Sequence, residues 1–367
     1  MKILIMTIKL GGGHYSASLS LREQIQSQFP DAIIQIKDIC EYMLPNYYQK
    51  IYRAYDLFVN KGSKIYNFLY NYSEKKEVDF KPLVPESFLT KMDELIRDFK
   101  PDVIISTCSI SSQIVSTYKA TYNHSIPFIT CITDITDHPS WINPFTDYYL
   151  VATPSVKREL IEKGINPAMI YINGIPVREE FNVECRHSDS VIKHLLIMGG
   201  SLGMLPKRQS FYKHLNELHN VETLILAGHN EKLIHKLQGK YEHIQVIGYT
   251  DKVYEYMKEA DLIISKPGGL TLFESIYSEV PILTFEPALA QEMKNQHFII
   301  DHQIGEVLDQ NYEENIEHIS KLLHDEQTLN TFRYNMHQLK NELNNKQVED
   351  ILLSIQHSTQ EAKEASE

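Results

Sequence analysis

The apolar positions of this 367-residue chain fall into short continuous runs, separated by stretches with helical periodicity. Such runs, bounded by Gly, Pro, Ser or Asp, predict strands buried on both faces, and their alternation with helices predicts parallel sheets covered on each side. In the first half, strands are predicted over residues 2–8, 33–36, 103–107, 128–133 and 148–152; in the second, over 194–198, 223–227, 245–247, 262–265 and 282–285. The halves begin alike, because KILIMTIKLGGGH and KHLLIMGGSLGM each run an apolar strand into a glycine-rich turn. The polar stretch 183–190, VECRHSDS, reads as a linker, and the chain from 315 onward is helical in pattern, with an end over 359–367 polar enough to fray. The expected fold is therefore α/β, with two Rossmann-like doubly wound domains facing across a cleft. They cover residues 1–182 and 191–335, followed by a helical tail over 336–367.

The densest chemistry lies in residues 261–295, DLIISKPGGLTLFESIYSEVPILTFEPALAQEMKN. A strand ends in Pro267, Gly268 and Gly269, and Thr271 stands at the opening of the next helix. Glycines let a backbone approach a ligand closely, and the free N–H groups of a helix start attract an anion such as a diphosphate. Glu274, about one turn further in, is placed to accept hydrogen bonds from ribose hydroxyls. After the next apolar run, Gln291 and Glu292 suit the reading of sugar hydroxyls. An ordinary β-turn-α connection explains the glycines but not Thr271, Glu274 and the Gln-Glu pair at this spacing. No G-x-x-x-x-G-K-[ST] occurs, and Gly11, Gly12 and Gly13 do not make G-x-G-x-x-G, which disfavours a P-loop NTPase or an ordinary nicotinamide enzyme.

Composition narrows the setting. A hydrophobic fraction of 43% with 23% charged residues describes a globular protein, and no apolar run approaches the roughly 20 residues that span a bilayer. The start of the chain does not resemble a signal peptide, and Cys40, Cys108, Cys131 and Cys185 form no C-x-x-C pair, so a reducing cytosol is expected and no zinc cluster. A formal net charge of −12 argues against general nucleic-acid binding. Residues 42–72 break that trend. They hold eight tyrosines, two phenylalanines and Lys50, Arg53, Lys61 and Lys64 against the single Asp56. Cations interleaved with aromatics suit the headgroup layer of an anionic membrane; a tyrosine-rich helical hairpin packed on the domain is the other reading, and the two are compatible.

Several short motifs, weak singly, make a strong signal by their order. They are Gly11-Gly12-Gly13-His14 with Ser16-Ala17; Thr133-Asp134 with His138-Pro139 and Trp141; Asn173-Gly174-Ile175-Pro176-Val177; Gly248-Tyr249-Thr250; Lys266-Pro267-Gly268-Gly269; and Pro287 with Gln291-Glu292 and Asn295. Over nearly its whole length the chain resembles the monogalactosyldiacylglycerol synthase and processive diacylglycerol glucosyltransferase family of GT-B glycosyltransferases, with the lipid II synthase MurG more distant. The resemblance implies a UDP-sugar donor in the second domain, with Gly268, Gly269, Leu270 and Thr271 at the diphosphate beside Lys266, and Glu274 at the ribose. It further implies Tyr249 and Thr250 beside the uracil, Gln291 and Glu292 at the hexose, and Gly199, Gly200 and Ser201 near the phosphates. Helix dipole and backbone amides would stabilise departing UDP without a metal, and no Asp-x-Asp is present. The first domain would take diacylglycerol, with Gly12, Gly13 and Trp141 on the acceptor side and the protein peripheral on the inner face of the cell membrane.

His14 is the expected general base, since an imidazole with an unperturbed pKa of about 6.5 suits deprotonation of an acceptor hydroxyl near neutral pH. Its place after the glycine turn puts it at the top of the first sheet; the plain alternative is a histidine that caps the helix. Asp134 is expected to orient His14 or the acceptor, or else to cap a turn, and Trp141 to meet lipid or headgroup. The chain departs from the family pattern at Leu289-Ala290-Gln291-Glu292, where a Pro-Gly precedes Gln-Glu in the diacylglycerol enzymes; this bears on the choice between glucose and galactose. Other readings of the same fold are a UDP-N-acetylglucosamine 2-epimerase-like enzyme and a non-catalytic UDP-sugar-sensing module.

Overall fold

A computed structural model describes residues 1–61, 63–74, 84–182, 190–287, 289–309, 312–343 and 346–364. Most of the predicted linker, Ala288, and the side chains of Lys61 and Lys64 lie outside the described residues. The chain divides into two compact units, one of Met1–Arg178 with Leu343–Glu367 and one of Glu179–Glu342.

The first unit is built on six parallel strands, β1 Lys2–Thr7, β2 Ile33–Asp38, β3 Val103–Ser106, β4 Phe128–Cys131, β5 Tyr148–Val151 and β6 Ile170–Ile172, in the order β2-β1-β3-β4-β5-β6. The uninterrupted apolar run of β1 follows from burial on both faces. Leu4 and Met6 pack with Ile104, Phe128 and the helices Glu86–Phe99 and Ser109–Tyr122. Ile3 and Ile5, one residue out of phase, pack with Ile105, Ile129 and the helix Gly13–Gln28. The second unit repeats the plan with β7 Lys193–Met198, β8 Val221–Leu226, β9 Ile244–Ile247, β10 Leu262–Ser265, β11 Ile282–Thr284 and β12 Gly305–Val307, in the order β12-β11-β10-β7-β8-β9. The ten predicted strands all form, their ends shifted by at most two residues. Strands β6 and β12 were not predicted: each has three residues at a sheet edge, too short for a periodic signal.

In each sheet the strand order reverses once, between β1 and β3 in the first and between β7 and β10 in the second. At such a point neighbouring connections leave on opposite faces, which opens a crevice beyond the carboxyl ends of the two strands. Both predicted glycine turns sit there, after β1 and after β7, and the Pro267-Gly268-Gly269 turn follows β10.

The residues expected to form a separate helical tail, 336–367, are shared between the units. The helix Glu326–Glu342 stays with the second, where Leu329 and Phe332 join its core. The helix Gln347–Glu364 buries Val348, Ile351, Leu352 and Ile355 against β1, β3 and the helix Gly13–Gln28 of the first. The aromatic stretch forms the helices Tyr48–Lys61 and Ser63–Glu74. Among the described residues, no helix is long and apolar enough to cross a membrane.

Because Leu352 is fully buried in the first unit's core, Leu352→Ala is expected to cost about 2–5 kcal/mol. Trp141, the only tryptophan, lies in the same unit, so its fluorescence during urea unfolding reads that transition; an unmoved midpoint would detach the helix from this core.

Candidate active site

In the first unit, β1 leads into Gly11 and Gly12, both at positive φ, and Gly12 caps the helix Gly13–Gln28 from a left-handed conformation that a β-carbon would strain. His14 is therefore the second residue of a helix that starts at the crevice. Its Nδ1 lies 2.7 Å from the Thr133 hydroxyl, just past β4. The indole of Trp141 meets the imidazole edge-on, with ring centroids 6.1 Å apart. Trp141, expected at lipid or headgroup, is thus only 5% exposed and supports the histidine from within. His14 is half-buried by accessible surface, yet the packing around its ring disfavours the imidazolium. This desolvation lowers its pKa to about 4, against a smaller upward pull from the Thr107 carbonyl.

Asp134 adjoins Thr133 and opens a loop that its neighbours hold firmly. Lys163 pairs with the Asp137 carboxylate at 2.5 Å and donates to the Asp137 carbonyl at 2.6 Å. His138 Nδ1 lies 2.7 Å from the Ser140 hydroxyl, and its ring stacks on Tyr70 with centroids 4.3 Å apart. Asp137 and His138 are thus part of the loop's scaffold. Tyr70 ties the helix Ser63–Glu74 to this loop, and Tyr52 ties the helix Tyr48–Lys61 to the sheet by donating to Asp38 Oδ2 at 2.5 Å. On the first of these two helices, Lys50 approaches the Tyr47 ring at 6.0 Å, and Arg53 is exposed.

In the second unit the turns after β7 and β10 face each other across the crevice. The first is locked to the turn after β8: His229 N–H donates to the Ser201 carbonyl at 2.9 Å, and Asn230 Nδ2 to the Gly203 carbonyl at 2.9 Å. A β-carbon on Gly203 would stand 2.0 Å from the Ala227 carbonyl oxygen, so only glycine permits this approach. Gly199, Gly200 and Ser201 thereby line the crevice with backbone. Opposite them, Gly268 caps the helix Gly269–Ser278 without a side-chain hydrogen bond, and its first turn holds no acid. That end carries the positive pole of the helix dipole and N–H groups open to an anion. Leu270, Thr271 and Glu274 share the helix face left partly exposed, while Leu272, Phe273 and Ile276 are buried.

Lys266 spans the crevice. Its Cε and Nζ come 3.6 Å and 3.5 Å from where a β-carbon on Gly200 and on Gly268 would stand. Its ammonium pairs with Glu292 at 2.7 Å, and Glu292 is buried with a side chain only 3% exposed. Gln291 precedes it in the short helical turn Ala290–Glu292, and the fully buried Asn295 donates to the Pro267 carbonyl at 2.9 Å, fixing the glycine turn from behind. At the other end of the crevice, Tyr249 is 60% exposed and stacks on His229, with centroids 4.5 Å apart and planes within 9°. The Thr250 hydroxyl accepts from Lys252 N–H at 3.0 Å, closing the turn. The structure thus brings Gly199, Gly200, Ser201, Lys266, Gly268, Gly269 and Glu292 together, with Tyr249 on the turn after β9 joined to Ser201 through His229. Sequence reasoning gave no role to Thr107 or His229, and Thr133 entered only as part of the Thr133-Asp134 motif. The signal for His229 was Gly228-His229-Asn230, a third glycine turn at the end of a strand.

Residues 14–177 match the family Monogalactosyldiacylglycerol (MGDG) synthase, and residues 194–360 match the Glycosyltransferase family 28 C-terminal domain. A processive diacylglycerol beta-glucosyltransferase of Bacillus pumilus is 28% identical, covering 92% of this chain and 91% of its own. Among solved structures, Acinetobacter baumannii MurG superposes with a TM-score of 0.61 at 14% identity, covering 92% of this chain and 94% of its own. Anabaena Alr3699/HepE in complex with UDP-glucose superposes at 0.57 with 13% identity, covering 96% of this chain and all of its own. These two likenesses concern the fold.

Glu292 is buried against a single ammonium, so Lys266→Met leaves a carboxylate to be protonated or hydrated. The expected cost is about 1–3 kcal/mol in denaturant unfolding, with most of it recovered on adding Glu292→Leu. A double variant no more stable than the single one would show that the pair does not carry this energy.

Proposed function

A chain whose first half matches monogalactosyldiacylglycerol synthase and whose second half matches the family 28 C-terminal domain belongs to the GT-B glycosyltransferases of that family, and on this premise we propose an inverting transfer of a hexose, glucose or galactose, from a UDP-sugar to diacylglycerol. The observation that carries the reading is the second unit's crevice, with an uncapped helix start, a glycine backbone wall and Lys266 within one small volume. In this reading the helix start and Lys266 take the diphosphate, Glu274 the ribose, Tyr249 on His229 the uracil, and Gln291 with Glu292 the hexose. As the acceptor oxygen bonds to the anomeric carbon, the bond to UDP breaks and its electron pair leaves on the β-phosphate oxygen. The amides and helix dipole stabilise that charge without a metal, and the acceptor proton passes to His14; Asp134, next to Thr133 in the chain, orients the acceptor. The name of the Bacillus relative favours glucose among the hexoses.

The acceptor lives in a bilayer, and the helix Ser63–Glu74 supports a peripheral approach to it. Ile65, Phe68 and Tyr72 are 59%, 69% and 57% exposed and lie at i, i+3 and i+7 along one face. Exposed Arg53 and Lys50 add cations nearby in sequence, as an anionic headgroup layer would require.

The direct test offers UDP-glucose, UDP-galactose or UDP-N-acetylglucosamine with diacylglycerol vesicles and reads products by mass spectrometry. Hexosyl-diacylglycerol is expected; an epimerised nucleotide sugar, or tight UDP binding without any product, would reject the reading. His14→Gln is expected to lower kcat by about 100-fold to 10,000-fold while UDP affinity holds. Since burial penalises the imidazolium, the neutral base persists as pH falls from 6.5 to about 4. The acid limb of kcat/KM should therefore lie near 4, and a limb at 6.5 would speak against His14 as the base. Ile65→Asp with Phe68→Asp should reduce co-sedimentation with phosphatidylglycerol vesicles severalfold, and undiminished binding would remove this face from the membrane contact.

A further inference from the structure

Three threonines stand at the carboxyl ends of three adjacent strands: Thr7 on β1, Thr107 after β3 and Thr133 after β4. All are buried, at 0%, 0% and 4% exposure. The Thr107 hydroxyl lies 2.8 Å from the Thr7 hydroxyl and 3.0 Å from the His14 carbonyl oxygen, so it pins the backbone of the histidine. The Thr133 hydroxyl lies 3.3 Å from the Thr107 carbonyl oxygen and 2.7 Å from His14 Nδ1. A hydroxyl has one hydrogen to donate, and a carbonyl can only accept. Once Thr133 donates to Thr107, its oxygen offers lone pairs alone, and Nδ1 must carry the proton that meets it. Nε2 is then the unprotonated nitrogen.

We propose that Thr133, aligned by the Thr107 carbonyl, is a positioning residue that holds His14 in the Nδ1–H tautomer and so leaves Nε2 as the atom that accepts the acceptor's proton. The inference rests on the reading of His14 as the base. A carboxylate in Thr133's place would also hold Nδ1–H, but it would stabilise the imidazolium; a neutral hydroxyl orients the ring without adding charge. Trp141, edge-on to the same ring, restricts its rotation sterically. Thr133→Val keeps the shape and removes the hydrogen bond, while Thr133→Ser keeps the hydroxyl.

The test labels histidine side chains with 15N, assigns the His14 signals by their loss in His14→Gln, and reads the protonated nitrogen directly. In the wild type, Nδ1 is expected to carry the proton. Thr133→Val should shift the population toward Nε2–H and lower kcat by up to about 10,000-fold, the loss a fully wrong tautomer imposes on a histidine base, with the KM for UDP-sugar unchanged. Thr133→Ser should restore both, and thermal melts matching the wild type would exclude misfolding. A wild-type Nε2–H signal, or a Val variant with an unchanged tautomer, overturns the positioning role whatever kcat does. A Val variant that changes tautomer while kcat holds sustains that role and instead rejects His14 as the base.

Discussion

Parallel strands cannot be joined by a hairpin, so every connection in these sheets is a crossover, and to cover both faces of each open sheet the chain reverses its direction of winding once. Where it does, two strand ends stand side by side with no connection passing over them. Everything chemical in this protein is built on that constraint. In the second unit the reversal between β7 and β10 leaves two glycine turns face to face, and in the first the reversal between β1 and β3 leaves room for His14 above Thr107.

The two crevices use backbone polarity in different ways. At β10 the helix Gly269–Ser278 begins without a side-chain cap, so its N–H groups and dipole are available to an outside anion. Lys266 adds a positive charge that is tied to buried Glu292. At β1 the helix start instead presents an imidazole, and the surrounding polar contacts are neutral hydroxyls and carbonyls. Desolvation without a compensating charge is what keeps that imidazole neutral. One crevice presents an uncapped helix start and an ammonium, the other an uncharged imidazole.

The helix Ser63–Glu74 has two working faces. Tyr70 stacks on His138 in the loop that continues from Asp134, while Ile65, Phe68 and Tyr72 point to solvent. The packed-hairpin reading of the aromatic stretch therefore describes one side of this helix, and the other side is exposed. Contact with a lipid surface would be felt one side chain away from the loop that carries Asp134 and Trp141.

Much of this was legible in the chain itself. Strands buried on both faces read as continuous apolar runs, glycine turns announce themselves, and the motifs Gly11-Gly12-Gly13-His14 and Lys266-Pro267-Gly268-Gly269 fall at fixed offsets from their strands. Local patterns therefore set the α/β class, the two-fold repetition of the plan and the candidate residues of each crevice. What they do not contain is distance across the sheet. Thr133 lies 119 residues from His14 and meets it only because β1, β3 and β4 are neighbours; Lys266 finds Glu292 only when a turn folds back over β10. The same holds for Trp141, which is buried edge-on to the imidazole, and for the helix Gln347–Glu364, whose apolar face matches the first unit's core although the second precedes it in the chain. Periodicity tells a segment which of its faces must be buried, but the surface that buries it is chosen by the packing of elements far apart in sequence.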